Sequence, residues 1–178
     1  MEKFERLGRD LVYKGSIIDF YKDTVKVPNG NIVKWDYIGH KGAAAVVPVT
    51  DDGKILMVRQ YRNAIDRYSL EIPAGGLNSV DEPKIEAARR ELEEETGYKS
   101  DNLELLICTV PAIAYSSEVI EIYVARDLKP SKQNLDEDEF IDVKAYDVDE
   151  LCQMIYDCTI QDSKTIAAIM AYKNKYCK

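Results

Sequence analysis

Hydrophobic residues along this chain fall into short runs separated by turn-forming residues, a pattern typical of a protein rich in β-strands. Residues 25–27 and 32–38 flank an Asn-Gly turn, which predicts two antiparallel strands joined as a hairpin. Residues 43–50 and 54–61 flank an Asp-Asp-Gly turn and predict a second hairpin, with more apolar and more deeply buried strands. Further strands are predicted over residues 68–72, 103–110, 119–125 and 140–146.

The pattern becomes helical over residues 83–96. Pro83 suits the first turn of a helix, two adjacent alanines favour its middle, and Gly97 ends it. Two amphipathic helices are predicted near the end of the chain, over residues 148–156 and 163–176. This order of elements predicts an α+β fold, with a mixed β-sheet sandwiched between α-helices.

Composition limits the kinds of partner. The 178 residues are 46% hydrophobic and 31% charged, which is enough apolar material for a buried core in one ordinary domain. The formal net charge of -8 repels a phosphate backbone, so we expect no nucleic-acid partner. A small phosphorylated ligand is compatible with this charge if divalent cations lie between the acids and the phosphates.

The sequence predicts a cytoplasmic protein without a membrane partner. Its apolar runs are too short to cross a bilayer, and its first residues lack the apolar core of a signal peptide. The four cysteines form no CxxC pair and are expected to be reduced, and His40 is the only histidine, which excludes most zinc sites. His40 is expected to cap a loop, with contact to a phosphate as the alternative.

The segment from Gly76 to Tyr98 carries the most informative chemistry. On a helix Glu91, Glu94 and Glu95 share one face, where like charges destabilise each other and lie toward the unfavourable end of the helix dipole. A solvated acidic face is the ordinary interpretation of such a run. The glycine-rich turn before this helix instead favours a site for divalent cations, because carboxylates are the ligands that Mg²⁺ and Mn²⁺ prefer.

This segment resembles the Nudix box, G-x5-E-x7-R-E-U-x-E-E-x-G-U, in which U is an aliphatic residue. The final position departs from that pattern, since Tyr98 stands where an aliphatic residue is usual. The resemblance implies the Nudix fold and hydrolysis of a nucleoside diphosphate linked to another moiety. The matching residues are Gly76, Glu82, Arg90, Glu91, Leu92, Glu94, Glu95 and Gly97.

The same resemblance implies the metal ligands. Glu91, Glu94 and Glu95, with the backbone carbonyl of Gly75, are the predicted ligands of Mg²⁺, with Mn²⁺ as the alternative ion. Glu94 is also counted among the candidate catalytic residues. Glu82 and Arg90 are similar to the family's supporting salt bridge, which fixes the loop on the helix.

Four further segments resemble the ADP-ribose pyrophosphatase branch of the family: residues 58–62, 71–75, 135–140 and 161–165. This likeness implies hydrolysis of ADP-ribose to AMP and ribose 5-phosphate. Another nucleoside diphosphate derivative, such as a sugar nucleotide or a dinucleotide, is the alternative substrate. A non-catalytic ADP-ribose sensor is less favoured, because this chain retains every carboxylate of the box.

The resemblance also suggests residues that contact the substrate. A polar strand edge is the ordinary interpretation of Arg59 and Arg62. The resemblance instead makes Arg62, and after it Arg59, candidates for binding the diphosphate, since arginine suits bidentate phosphate contacts. Glu71 is expected to hydrogen-bond the adenine or the adjoining turn. Trp35 either stacks on the adenine or packs in a core or interface, and Glu118 is expected near the terminal ribose.

In this branch a mobile acidic loop supplies the carboxylate that orients or deprotonates the attacking water. Glu137 is matched to that role and Glu139 is the alternative. Residues 1–40 are expected to form an antiparallel β arm that contributes to a homodimer, and residues 41–178 the Nudix hydrolase domain.

Overall fold

A computed structural model describes residues 3–177 and contains three α-helices, one short 3-10 helix and twelve strands within that range. The strands are β1 Glu5–Lys14, β2 Asp19–Lys26, β3 Ile32–Gly39, β4 Ala43–Pro48, β5 Ile55–Arg62, β6 Arg67–Glu71, β7 Ala74–Gly76, β8 Tyr98–Lys99, β9 Asn102–Thr109, β10 Ile120–Arg126, β11 Lys129–Pro130 and β12 Ile141–Tyr146. The helices are the 3-10 turn Asn63–Ile65, α1 Lys84–Thr96, α2 Val148–Tyr156 and α3 Ser163–Tyr176.

The described chain divides into two compact units. The first comprises residues 3–42 and Val110–Val119, and its sheet has the antiparallel order β1-β2-β3. The predicted β2–β3 hairpin is confirmed, with Gly30 at a φ of 90°, which a glycine adopts readily. β1 was not predicted, because two register shifts break the alternation of apolar and polar residues along it.

The segment 110–119 belongs to the first unit through backbone contacts with the end of β3. Ile38 N–H donates to Tyr115 O at 2.7 Å, and Ser117 N–H donates to Ile38 O at 3.0 Å. This unit therefore differs in extent from an arm confined to residues 1–40. The difference arises because a distant loop pairs with the strand edge, which no local pattern indicates.

The second unit, residues 43–109 and 120–177, contains the sheets β7-β4-β10-β9 and β12-β5-β6 and the pair β11-β8. The predicted hairpin of β4 and β5 is confirmed at its turn, where Thr50 N–H donates to Lys54 O at 2.9 Å and Val49 forms a bridge with Ile55. Beyond the turn the prediction is wrong, since β4 and β5 lie in different sheets. β4 pairs instead with β7 and runs parallel to β10. All six residues of β4 are buried, as expected of a central strand with partners on both edges.

Side chains of β4 and β10 alternate between two hydrophobic clusters. Ala44 and Val46 pack with Leu92 of α1, whereas Ala45 and Val47 lie in the cluster that includes residues of α2 and α3. Helices therefore cover both faces of this sheet, which confirms the predicted α+β sandwich. In the described part of the chain, no helix is long and apolar enough to cross a membrane.

The predicted helices are confirmed closely, because their signals are local. α1 begins after Pro83 and ends at Gly97, whose φ of 71° is left-handed and suits glycine. α3 begins after Asp162, whose side chain accepts a hydrogen bond from Thr165 N–H.

Candidate active site

The glycine turn that follows β6 lies directly against helix α1. A Cβ atom on Gly75 would overlap the carboxylate of Glu91, so the Glu91 side chain lies directly against the backbone of this turn. At the preceding residue, Ala74 N–H donates to Oε2 of Glu95 at 3.0 Å. The turn and two of the predicted metal-binding glutamates are therefore brought together.

Burial places two carboxylates, Glu91 and Glu95, where little positive charge compensates them: Glu91 pairs with Arg90, whereas Glu95 accepts a backbone hydrogen bond from Ala74. Both residues are buried, at 8% and 5% exposure. Burial raises the pKa of Glu95 to about 8, and the nearby charge of Glu91 adds to this rise. Burial also raises the pKa of Glu91, although Arg90 opposes it. Buried carboxylates that favour their protonated form indicate a site that lacks positive charge.

Arg90 lies between the other carboxylates of the box. Its Nη1 donates to Oε1 of Glu91 at 2.5 Å and to Oε2 of Glu94 at 2.9 Å, and its Nη2 donates to the carbonyl of Gly76 at 3.1 Å. Its Nε lies 3.4 Å from Oε1 of Glu82, so the predicted supporting salt bridge is confirmed. Arg90 thus joins the glycine turn to the acidic face of α1.

Within residues 3–177, no three His, Cys, Asp or Glu side chains are grouped so as to hold a metal ion as they stand. Arg90 lies between Glu91 and Glu94 and forms an ion pair with each. The donor chemistry nevertheless fits a hard divalent cation, because carboxylate oxygens gather at a turn where a glycine lets them approach the backbone.

The acidic loop forms a closed turn. Glu139 N–H donates to Asp136 O at 3.0 Å, and Asp136 N–H donates to Oε2 of Glu139 at 3.2 Å. The charge of Glu139 contributes to the raised pKa of both Glu91 and Glu95. Glu137 is exposed at the tip of this turn. The charge of Glu139 therefore acts on the buried pair, although Glu139 is exposed like Glu137.

Arg62 joins a charge network rather than an open strand edge: its own side chain is 41% exposed, and the side chains of Glu71 and Lys164 are buried. Its Nε and Nη2 donate to the two carboxylate oxygens of Glu71 at 2.8 and 2.7 Å. Lys164, at the start of α3, also donates to Glu71, and it donates to Oδ2 of Asp162 at 2.9 Å. Burial alone would raise the pKa of Glu71, but Arg62 and Lys164 outweigh it and hold this pKa at about 2.

Arg59 does not share this network. The pairing of β5 with β6 places Arg59 and Arg62 on opposite faces of the strand. The Arg59 guanidinium lies 3.9 Å from the centre of the Tyr68 ring and 3.4 Å from Oδ2 of Asp142. On the other face, Arg62 and Glu71 line a cavity of about 620 Å³.

The remaining predicted substrate contacts lie in the first unit. Trp35 is on β3, is 49% exposed and has its ring centre 6.1 Å from that of Phe4, so it is not a core residue. Oε1 of Glu118 lies 3.9 Å from Nδ1 of His40. That same Nδ1 accepts a hydrogen bond from Gly42 N–H at 3.0 Å, which confirms His40 as a residue that caps a loop.

Two polar residues of this region were not found by sequence reasoning. Lys164 is buried against Glu71, yet a lysine at the start of an amphipathic helix has the sequence signature of a surface residue. Gln133 donates from Nε2 to the carbonyls of Glu95 and Ile141, and nothing in its local sequence indicates this role.

Comparison with known proteins gives concordant matches. The family model of the NUDIX domain matches residues 39–169. The methanol dehydrogenase activator of Bacillus methanolicus is 40% identical over 160 residues, covering 89% of this chain and 86% of that protein. An ADP-ribose pyrophosphatase of Bacillus subtilis is 36% identical over 165 residues, covering 92% of this chain and 89% of that protein. A crystal structure of an ADP compounds hydrolase superposes with a TM-score of 0.86 at 23% identity, over 98% of this chain and 94% of that one.

Proposed function

This chain belongs to the NUDIX domain family, and from that premise we propose that it hydrolyses ADP-ribose to AMP and ribose 5-phosphate with a divalent cation. The observation that carries the proposal is the meeting of the Gly75 turn with two buried, poorly compensated carboxylates, Glu91 and Glu95. The ADP-ribose pyrophosphatase of Bacillus subtilis, similar over nearly the whole chain, supports the choice of substrate.

Glu91, Glu94 and Glu95, with the carbonyl of Gly75, are the residues that would hold Mg²⁺ or Mn²⁺. A divalent ion bound there supplies positive charge to the diphosphate and lowers the pKa of a bound water. An ion held there would compete with the Arg90 guanidinium, which donates to one carboxylate oxygen of Glu91 and one of Glu94 in this structure. The carbonyl of Gly76 and the carboxylate of Glu82 remain as partners for the displaced arginine.

The chain's own residues then orient the reactants. A water oxygen attacks one phosphorus, the bridging P–O bond breaks, and a loop carboxylate takes the proton of the water. The resemblance assigns that carboxylate to Glu137, and the electrostatic proximity of Glu139 to Glu91 and Glu95 favours Glu139.

Arg62 is the proposed diphosphate contact. Its bidentate pair with Glu71 uses Nε and Nη2, which leaves Nη1 as the edge of the guanidinium that can reach a phosphate oxygen. Glu71 is 2% exposed, so we assign it to holding Arg62 and the adjoining turn rather than to contacting adenine directly. Arg59, Trp35 and Glu118 remain proposed contacts with the diphosphate, the adenine and the terminal ribose.

We also propose a homodimer. The first unit exposes many large apolar side chains, including Tyr13 on β1 and Ile17 between β1 and β2, which a monomer in water leaves unburied at a cost in free energy. A second copy of this chain would cover them.

The deciding experiment is product analysis of ADP-ribose incubated with the protein, with and without Mg²⁺, in ¹⁸O-labelled water. We expect AMP and ribose 5-phosphate only when the cation is present, and the labelled product identifies the phosphorus that is attacked. Glu95→Gln serves as the matched inactive protein. A panel of sugar nucleotides and dinucleotides runs in parallel, and turnover there without turnover of ADP-ribose overturns the choice of substrate. Binding of ADP-ribose without any turnover would identify a sensor.

A further inference from the structure

One side chain forms hydrogen bonds at both ends of the acidic loop. The amide nitrogen of Gln133 donates to the carbonyl of Glu95 at 2.7 Å and to the carbonyl of Ile141 at 3.4 Å. Gln133 precedes the seven residues 134–140 and Ile141 follows them. The amide therefore closes the base of the loop and joins it to the last turn of α1.

Backbone hydrogen bonds on either side of Gln133 hold the segment around it against the carboxyl end of α1. Ser131 N–H donates to the carbonyl of Gly97 at 2.7 Å, and Asn134 N–H donates to the carbonyl of Glu94 at 3.0 Å. The last carbonyls of a helix have no partner within the helix, so these donors satisfy groups that would otherwise need water. The segment therefore covers the carboxyl end of the helix that carries the candidate metal ligands.

Gly97 makes this docking sterically feasible. A Cβ atom on Gly97 would lie 3.0 Å from the backbone nitrogen of Gln133, which is tighter than normal packing, and its φ of 71° is already unfavourable for other residues. The glycine that ends α1 thus has a second role, which is to let the loop approach.

We propose that Gln133 is a positioning residue, which holds the acidic loop so that its carboxylate reaches the site on α1. This inference rests on the proposed hydrolase function. Because Gln133 fixes the ends of the loop and has no assigned contact with substrate, its loss acts on turnover through Glu137 or Glu139 and leaves substrate affinity nearly unchanged. A small displacement of a proton acceptor is sufficient to slow a reaction strongly.

The test compares three unbranched side chains of similar length at position 133. Gln133→Met cannot donate a hydrogen bond, whereas Gln133→Lys can donate to the same carbonyls at the helix end. Lys132→Ala changes the exposed neighbouring residue and is the matched control. Each protein is assayed for kcat and KM with ADP-ribose and Mg²⁺, and amide hydrogen exchange is measured over residues 134–140.

We expect Gln133→Met to lower kcat about tenfold with less than about a twofold change in KM. Exchange in the loop should be about tenfold faster or more in Gln133→Met. Gln133→Lys should recover most of the lost kcat, and Lys132→Ala should match the wild type. In a Glu137→Gln/Glu139→Gln background, Gln133→Met should have little further effect on kcat. The carboxylates that Gln133 positions are already absent from that protein.

Three results overturn the proposal: unchanged exchange in Gln133→Met, a rise in KM with kcat preserved, or an equal kcat loss with and without the loop carboxylates. An inactive wild type is a separate outcome, because it overturns the proposed hydrolase function itself. Hydrogen exchange does not depend on turnover, so even for an inactive protein it shows whether Gln133 holds the acidic loop in place.

Discussion

At the scale of single residues, the site is defined by carboxylates that the fold buries without enough positive charge. Glu95 is 5% exposed and accepts one backbone hydrogen bond, from Ala74. A hydrophobic or amide side chain at this position would cost less free energy in the metal-free protein. The retention of a carboxylate there is the physical reason to expect that a cation completes the site.

This imbalance predicts that Glu95→Gln stabilises the protein when divalent ions are removed. The folded-state pKa of about 8 exceeds the ordinary value of 4.5, so the stability that Glu95 contributes is present below about pH 4.5 and is lost as the pH rises through 8. At pH 8 in EDTA we expect Glu95→Gln to be more stable by about 1 kcal/mol or more, or roughly 2–4 °C in Tm.

Thermal unfolding at pH 5 and pH 8 checks this prediction. The free energy of unfolding of the wild type should fall between pH 5 and pH 8, and that of Glu95→Gln should fall less. The same substitution should remove most of the turnover with Mg²⁺. Glu94→Gln is the matched control, because the Glu94 side chain is 35% exposed and remains in contact with water in the folded protein. An identical pH dependence in wild type and Glu95→Gln contradicts the assignment of the buried charge.

The two loop glutamates give a second prediction at this scale. Because Glu139 lies within electrostatic reach of Glu91 and Glu95, we expect Glu139→Gln to lower kcat by about 10²–10⁴-fold, the usual effect of removing a general base. Glu137→Gln should have the smaller effect. Steady-state kinetics of the two variants under saturating Mg²⁺ decide between them, and a larger loss in Glu137→Gln would restore the assignment made from the resemblance.

At the scale of elements, α3 is tied to the hairpin of β5 and β6 by polar contacts in the interior. Thr165 Oγ1 accepts a hydrogen bond from Ile72 N–H at 3.0 Å, just before the glycine turn. Lys164 and Arg62 share the carboxylate of Glu71. Asp162 caps α3 and also pairs with Lys164. The start of α3 therefore holds both the proposed phosphate-binding arginine and the turn that contacts Glu91.

We accordingly predict that Lys164→Met destabilises the protein by about 3 kcal/mol, because it removes one partner of a buried pair. Glu71 keeps Arg62, so the loss should be smaller than that of Glu71→Gln, which leaves two cations without a buried counter-charge. Urea unfolding measures both differences. Lys173→Met, which removes a partner of the exposed Asp149, is the surface control and should leave the free energy of unfolding nearly unchanged. Equal effects of the two lysine substitutions would contradict this account.

At the scale of the whole molecule, the first unit presents apolar side chains that its own sheet does not bury. Tyr13 and Ile17 are 68% and 77% exposed. Their exposure predicts self-association, which sedimentation equilibrium detects as a dimer mass. Tyr13→Glu/Ile17→Glu should weaken the dimer about tenfold or more, whereas Tyr156→Glu, at a similarly exposed residue on α2, should not. A wild-type protein that sediments as a monomer at high concentration contradicts the proposed homodimer.

Much of the second unit could be predicted from local signals. The bounds of α2 and α3 and the end of α1 at Gly97 agree with the sequence prediction to the residue. Errors occurred where pairing depends on distant segments, as in the assignment of β4 to a hairpin with β5 although its partners are β7 and β10. β1 was missed for a different reason, since its register shifts remove the alternating pattern.

The sequence alone determined the chemistry available to the site, because the spacing of Glu91, Glu94 and Glu95 fixes a common helix face whatever the rest of the chain does. Tertiary structure decided what each group contacts beyond its own element: Arg90 donates to the carbonyl of Gly76, Glu71 lies between two cations, and Gln133 lies at the base of the acidic loop. These contacts join residues far apart in the chain or depend on burial. Such contacts follow from the packing of the whole unit, which local periodicity does not encode.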